Sequence, residues 1–252
     1  MSAPAGIPPA MIFAAGRGTR MGALTRDRPK PLIEVGGRAL LDHALDLVRG
    51  VGAPRIVVNA HAHAAQVAAH LARVAPDVRV AEEPELLETG GGLKAAAGLL
   101  GASGSSGSGS SGPGPSGPSG PVFTLNADMI WRGPNPLAAL AAAWEPGRMG
   151  ALLALAPREA AIGHVGAGDF FLGPDGRLAR RGAAAGAPFV YAGAEIIDMG
   201  ALAGFPAGAF SLNVVWDRLL AEGRLFGMVW LGRWVDVGRP EGIALAEAEL
   251  AR

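Results

Sequence analysis

The sequence has no cysteine, a single tyrosine, aromatic side chains at only 6% of its positions and no long uninterrupted apolar run. Without thiols there can be no disulfide framework and no thiolate metal site. Without about 18 consecutive apolar residues there is no candidate membrane-spanning helix. Net charge is also missing: 22 basic and 22 acidic side chains cancel. No basic field therefore points to nucleic acid or to an anionic membrane surface as a partner. The opening Met1 to Pro9 lacks the charged-then-apolar pattern of a secretory signal, so a cytoplasmic enzyme is the expectation. Half of the 252 residues are apolar, enough for a full core, and a single domain over 1–252 is expected.

What is present is concentrated between Ala10 and Pro31. The apolar run Met11-Ile12-Phe13-Ala14 ends in a loop with Gly16 and Gly18, four arginines (Arg17, Arg20, Arg26 and Arg28) and Lys30. Glycines let backbone N–H groups approach phosphate oxygens, and the cations supply charge-assisted hydrogen bonds, so the composition suits a polyphosphate. A P-loop is excluded because no Gly-Lys pair occurs. A dinucleotide fingerprint is excluded because Met21 stands where its third glycine would be.

Downstream, Leu41, Ala44, Leu45 and Val48 fall at helical spacing, Arg55 to Asn59 reads as a buried strand, and Val67, Leu71 and Val74 form the stripe of a second helix. Val78 to Ala81 is the next strand. The alternation predicts an α/β chain with a parallel sheet between helices. Glu88-Thr89-Gly90-Gly91-Gly92 reads as a glycine loop entering a helix at Leu93, suited to close approach of a flat ring or a ribose, or simply to a tight turn. His61 and His63 lack a third ligand at metal-site spacing and read as loop residues near the pocket. Gly101 to Pro121, built of Gly, Ser and Pro apart from Ala102, is expected to be a disordered insertion within the domain.

Val122 to Asn126 is a strand that delivers Asp128 to its carboxyl end, where an α/β enzyme holds a metal. Beyond Pro157 the alternation loosens. A hairpin around Pro174-Asp175-Gly176 and a strand from Phe189 to Ile197 suggest a mixed-sheet lid. In that half, Gly168, Asp169, Gly193 and Glu195, together with Asn126, are candidates for sugar hydroxyls; the two acids are equally readable as solvated strand residues.

The glycine-rich loop with Gly18-Thr19-Arg20 followed by Pro29-Lys30-Pro31 resembles the signature of the sugar-phosphate nucleotidylyltransferases. Glu88-Thr89-Gly90-Gly91, Asp128 and Trp234-x-Asp236-x-Gly238 match further motifs of that family, with Ala127 replacing its usual glycine. The resemblance spans about Met11 to Leu250 apart from the Gly/Ser segment. It implies a Rossmann-like mixed, mainly parallel sheet flanked by helices, with a smaller β-rich sugar-binding lid, and transfer of a nucleotidyl group from a nucleoside triphosphate to a sugar 1-phosphate.

Carried onto this chain, the resemblance places the nucleotide against Ala14, Ala15, Gly16, Arg17, Gly18, Thr19, Arg20, Asn59, Glu88, Thr89 and Gly90, and a Mg²⁺ cofactor on Asp128 and Asp236. Arg20, Lys30 and Asp128 would be catalytic. Length and the Leu87 to Gly92 segment make the chain most similar to the N-acetylmuramate-1-phosphate uridylyltransferases. A mannose-1-phosphate guanylyltransferase using GTP, or an inactive nucleotide-sugar-binding module, are the alternatives. Oligomeric state is left open, a monomer being compatible with the sequence.

Overall fold

Period-two alternation in the strands decides the layering. A computed structural model describes residues 6–101 and 119–252. Its strands are β1 (Ala10–Phe13), β2 (Glu34–Val35), β3 (Arg38–Ala39), β4 (Ile56–Ala60), β5 (Arg79–Glu82), β6 (Pro121–Asn126), β7 (Met129–Arg132), β8 (Ala151–Pro157), β9 (Phe170–Leu172), β10 (Leu178–Arg180), β11 (Phe189–Asp198), β12 (Leu225–Val229) and β13 (Arg233–Asp236). The helices are α1 (Leu40–Gly50), α2 (Ala64–Val74), α3 (Glu88–Ala95), α4 (Ala97–Leu100), α5 (Pro136–Ala143), α6 (Leu212–Ala221) and α7 (Glu241–Leu250).

Along β1 and β4, Ala10, Ile12, Ile56 and Val58 face a core with Leu41, Leu45, Leu71 and Leu137 of α1, α2 and α5. Met11 and Val57 point the other way, towards Leu93, Leu100, Trp216 and Leu219 of α3, α4 and α6. Both faces are thus covered, which is why these strands read as unbroken apolar runs. Helix starts are set locally: Asn135 accepts from Leu137 N–H at 2.9 Å to cap α5, with Pro136 in its first turn, and Ser211 accepts from Asn213 N–H at 3.2 Å to cap α6.

Nine strands form one sheet. β5, β4, β1 and β6 run parallel to one another, β11 joins β6 and β8 antiparallel, and β12 pairs β8 in parallel. The carboxyl ends of β1, β4 and β6 therefore emerge on one side, with Phe13 opposite Asn126. The expected lid is not a separate layer: the β9–β10 hairpin attaches to the start of β11 and continues the same sheet. A separate two-stranded sheet does form, from β7 and β13, neither of which the sequence pattern announced.

The glycine cluster is a second correction, since Glu88 to Gly92 lies inside α3 and not in a loop before it. The expected disorder within Gly101 to Pro121 falls mostly on 102–118, outside the described residues. No helix among the described residues is long and apolar enough to cross a membrane.

Candidate active site

The loop leaving β1 is held from behind. Ala14 N–H donates to Asn59 Oδ1 at 2.7 Å, Asn59 Nδ2 donates to Glu83 Oε1 at 2.8 Å, and Leu87 N–H donates to Glu83 Oε2 at 3.0 Å. This buried relay ties the ends of β1, β4 and β5 to the start of α3, and each polar group in it is satisfied. Glu83 is the residue that sequence reasoning missed. It sits in a run of acids, Glu82-Glu83-Pro84-Glu85, where nothing distinguishes one from the next. His61 joins the same corner by a hydrogen bond of 2.8 Å to the Glu83 carbonyl, while His63 precedes α2 in a left-handed conformation.

Gly16 and Gly18 play different parts. Gly18 has a φ of 61°, and a Cβ there would lie 3.0 Å from Lys30 Cβ, so glycine brings the loop against the lysine. A Cβ at Gly16 would meet nothing within 4 Å, and Gly16 lines a cavity of about 360 Å³ together with Ala14, Ala15, Lys30, Asn59, Glu88, Thr89, Asn126 and Asp128. Arg17, Thr19 and Arg20 are exposed and do not line this cavity. Arg20 nonetheless reaches the reactive corner: its charge acts on Asp236, and its Nη1 comes close to Gly238.

A second cavity of about 350 Å³ shares Phe13, Thr89, Asn126 and Ser211 with the first, so the two are lobes of one trough. Asp169, Arg180, Tyr191, Asn213, Trp216, Trp234 and Asp236 line this lobe. Asp169 uses Oδ2 to accept Tyr191 N–H at 2.9 Å, which aims the carboxylate.

Where the lobes meet, Lys30 Nζ donates to Asp128 Oδ2 at 2.5 Å across 98 residues of sequence. Asp236 is brought alongside by the β7–β13 pair, in which it stands opposite Met129, and by Val237 N–H, which donates to the Asp128 carbonyl at 3.0 Å. Burial raises the Asp236 pKa, as does the charge of Asp128, while Gly238 N–H, Lys30 and Arg20 pull it down. Two neighbouring carboxylates in a half-buried corner are a donor set suited to a hard divalent cation. Among the described residues no group of three or more His, Cys, Asp or Glu could hold a metal ion. By its donor chemistry the Asp128–Asp236 pair fits a Mg²⁺ of the kind that takes one or two protein carboxylates and completes its shell with phosphate and water.

Four expected contacts are not where the sequence put them. Gly90 N–H is already committed, with Gly91 N–H, to the Phe210 carbonyl at 2.9 and 3.0 Å. Gly90 and Gly91 serve contact with residues 208–210, since a Cβ on Gly91 would lie 2.1 Å from the Gly208 carbonyl oxygen, whereas Gly92 makes room for the relay, a Cβ there lying 2.6 Å from Glu83 Oε1. Thr89, expected to read the nucleotide, does line both lobes, but its Oγ1 accepts Leu212 N–H at 2.9 Å. Gly168 (φ 86°) packs on the Ala187 carbonyl, and Gly193 (φ 85°) packs at a bulge against Asn126, so neither lines a lobe.

Glu195 is the fourth, and the reason is alternation: it points into the sheet's interior with no solvent exposure. Thr124 Oγ1 and Trp216 Nε1 donate to it at 3.0 and 2.9 Å. Burial pushes its carboxyl from 4.5 up to about 7, outweighing those two bonds, which pull it down. The unfolded chain ionises this group at lower pH than the folded one, so stability falls as pH rises between the two values. Relative to Glu195→Gln, the wild-type protein is expected to lose about 1–3 kcal/mol between about pH 5 and about pH 8. The readout is the difference in Tm across that range, and a pH-independent difference would contradict the assignment.

Residues 10–209 match the model of the MobA-like NTP transferase domain. The chain is 42% identical over 250 residues, covering 96% of both chains, to the N-acetylmuramate alpha-1-phosphate uridylyltransferase of Caulobacter vibrioides. It is 31% identical over 234 residues to the protein of the same name from Neisseria meningitidis serogroup B, covering 91% of this chain and 92% of the other. The fold superposes on the inositol-1-phosphate CTP transferase from T. maritima with a TM-score of 0.73 at 14% identity, over 99% of this chain and 98% of the other.

Proposed function

The chain belongs to the MobA-like NTP transferase family, and from that premise we propose that it transfers the uridylyl group of UTP to N-acetylmuramate 1-phosphate, releasing pyrophosphate and forming the UDP-sugar. The observation that carries the reading is the meeting of Lys30, Asp128 and Asp236 where the two lobes join.

The nucleotide lies in the first lobe, over Ala14 to Gly16 and beside Asn59, Glu88 and Thr89, and the sugar lies in the second, over Asn126 and Asp169. The sugar-phosphate oxygen attacks the α-phosphorus, the bond to the bridging oxygen of the β-phosphate breaks, and its electron pair leaves with pyrophosphate. That oxygen is already ionised at neutral pH, so no general base is required. The barrier is mainly anion repulsion and misalignment. Lys30, buried at the junction, can pair with both the α-phosphate and the incoming sugar phosphate. Arg20, assisted by Arg17, stabilises charge on the departing pyrophosphate.

Asp128 and Asp236 would hold Mg²⁺, whose chemistry when bound is to neutralise charge on the phosphate oxygens. Both substrates are soluble metabolites of the cytoplasm, where we place the enzyme.

The test is pyrophosphate release on mixing the protein and Mg²⁺ with UTP or GTP and a panel of sugar 1-phosphates. Release with UTP and N-acetylmuramate 1-phosphate is expected. Release with GTP alone, or with no pair at all, would overturn the proposal.

A further inference from the structure

The transfer chemistry leaves one cation in the sugar lobe without a task. Among the described residues lining that lobe, Arg180 is the one that carries a guanidinium or ammonium group. It is not a loose surface side chain. Its Nε donates to Asp217 Oδ1 at 3.0 Å, Nη1 to Asn213 Oδ1 at 2.9 Å, and Nη2 to the Asn213 carbonyl at 3.1 Å. The group lies 5.1 Å from the ring centroid of Phe170 and 5.7 Å from that of Trp216. Contacts from β9 and from α6 thus fix the fork's position before any ligand arrives, which reduces the ordering cost of binding. Nη1 carries two N–H groups, and among the described residues only Asn213 Oδ1 engages it.

Asp169 and Asn126 already offer partners for ring hydroxyl groups along the same lobe, so a neutral hexose does not require the charge of Arg180. Asp217 pairs with one edge of the guanidinium, 2.8 Å from Nη2, and the uncommitted donor on Nη1 leaves the other edge to match a second carboxylate. N-acetylmuramate differs from N-acetylglucosamine by a carboxylate on an ether arm. Its phosphate is spoken for at the other end, beside Lys30 and Asp128.

We infer that Arg180 is the specificity-determining residue that selects a sugar acid, its guanidinium holding the carboxylate of the ether arm while Asp169 and Asn126 take the ring hydroxyls. The inference rests on the proposed function for the placement of the sugar, and it names the group by which that site tells its substrate from the neutral amino sugar.

The experiment reads binding directly, by titration calorimetry with Mg²⁺ and a non-hydrolysable UTP analogue present. N-acetylmuramate 1-phosphate and N-acetylglucosamine 1-phosphate are each titrated into the wild type, Arg180→Gln and Arg180→Lys. The wild type is expected to bind the acid about 10- to 100-fold more tightly, the size of one charge-assisted hydrogen bond. Arg180→Gln should erase that margin while leaving the affinity for the neutral sugar within about 2-fold, and Arg180→Lys should keep part of it. Equal losses for both sugars would show that Arg180 merely braces α6, and that result, an unchanged margin in Arg180→Gln, or a wild type with no preference for the acid would each overturn the inference. A wild type that binds with the expected margin yet releases no pyrophosphate with any pair would instead refute the transferase reading and leave the role of Arg180 standing.

Discussion

Asp128→Asn is expected to lower kcat by about 10²- to 10³-fold, the range seen when one charge-stabilising group is removed from a transition state. Its Tm should stay within a few degrees of wild type or rise. The substitution removes the Lys30 ion pair but also the charge that helps push the Asp236 pKa upwards. The two changes oppose each other in stability, whereas both remove function, the pattern of a site whose charges are arranged for a ligand and not for the fold. Pyrophosphate release and a thermal melt on the same preparation decide the matter. Turnover near the wild-type rate would remove Asp128 from contact with the reacting phosphates.

Lys30→Met should cost a comparable factor in kcat/KM, with one distinguishing feature: the loss should appear whichever substrate is varied, because the lysine stands where the lobes meet. A change confined to UTP, or to the sugar phosphate, would contradict the bridging role. Here stability should suffer as well. Lys30 is 8% exposed and its ammonium is one of the groups that hold the Asp236 pKa down. Without it, Asp236, already raised by burial and by the Asp128 charge, ionises still less readily in the folded chain, so the variant loses stability as pH rises through the carboxylate range and recovers it on acidification. About 1–3 kcal/mol at neutral pH is the expected scale, below that of a fully buried pair because Asp128 is 23% exposed.

The residues that carry these predictions differ in how they could be found. Lys30 lies in a local pattern, a strand, a glycine-bearing turn and Pro29-Lys30-Pro31, and its surroundings follow from the carboxyl end of a parallel strand. Asp236 was legible only through a resemblance. The strand that carries it is four residues long, pairs with another four-residue strand about a hundred residues earlier, and has no alternation to reveal either. Arg180 ends the second strand of a hairpin that was readable from Pro174-Asp175-Gly176, yet nothing local says that Asn213 and Asp217 would reach back to hold it. Glu195 was misplaced by chemistry read without facing: a carboxylate suits a hydroxyl, but a strand residue's neighbours are set by which side of the pleat it takes.

Legible in the sequence alone were the alternation of strands and helices in the first half of the chain, the two apolar faces of the central sheet and the cationic loop after its first strand. Each depends on contacts between near neighbours or on a period that repeats along the chain. Only the tertiary structure decided that three glycines would lie inside a helix, that one glutamate would be sealed from the site, and that Asp128, Asp236 and Lys30 would share a corner. Those outcomes turn on close approach between segments far apart in the chain, where a missing Cβ or a facing carbonyl counts for more than any local preference.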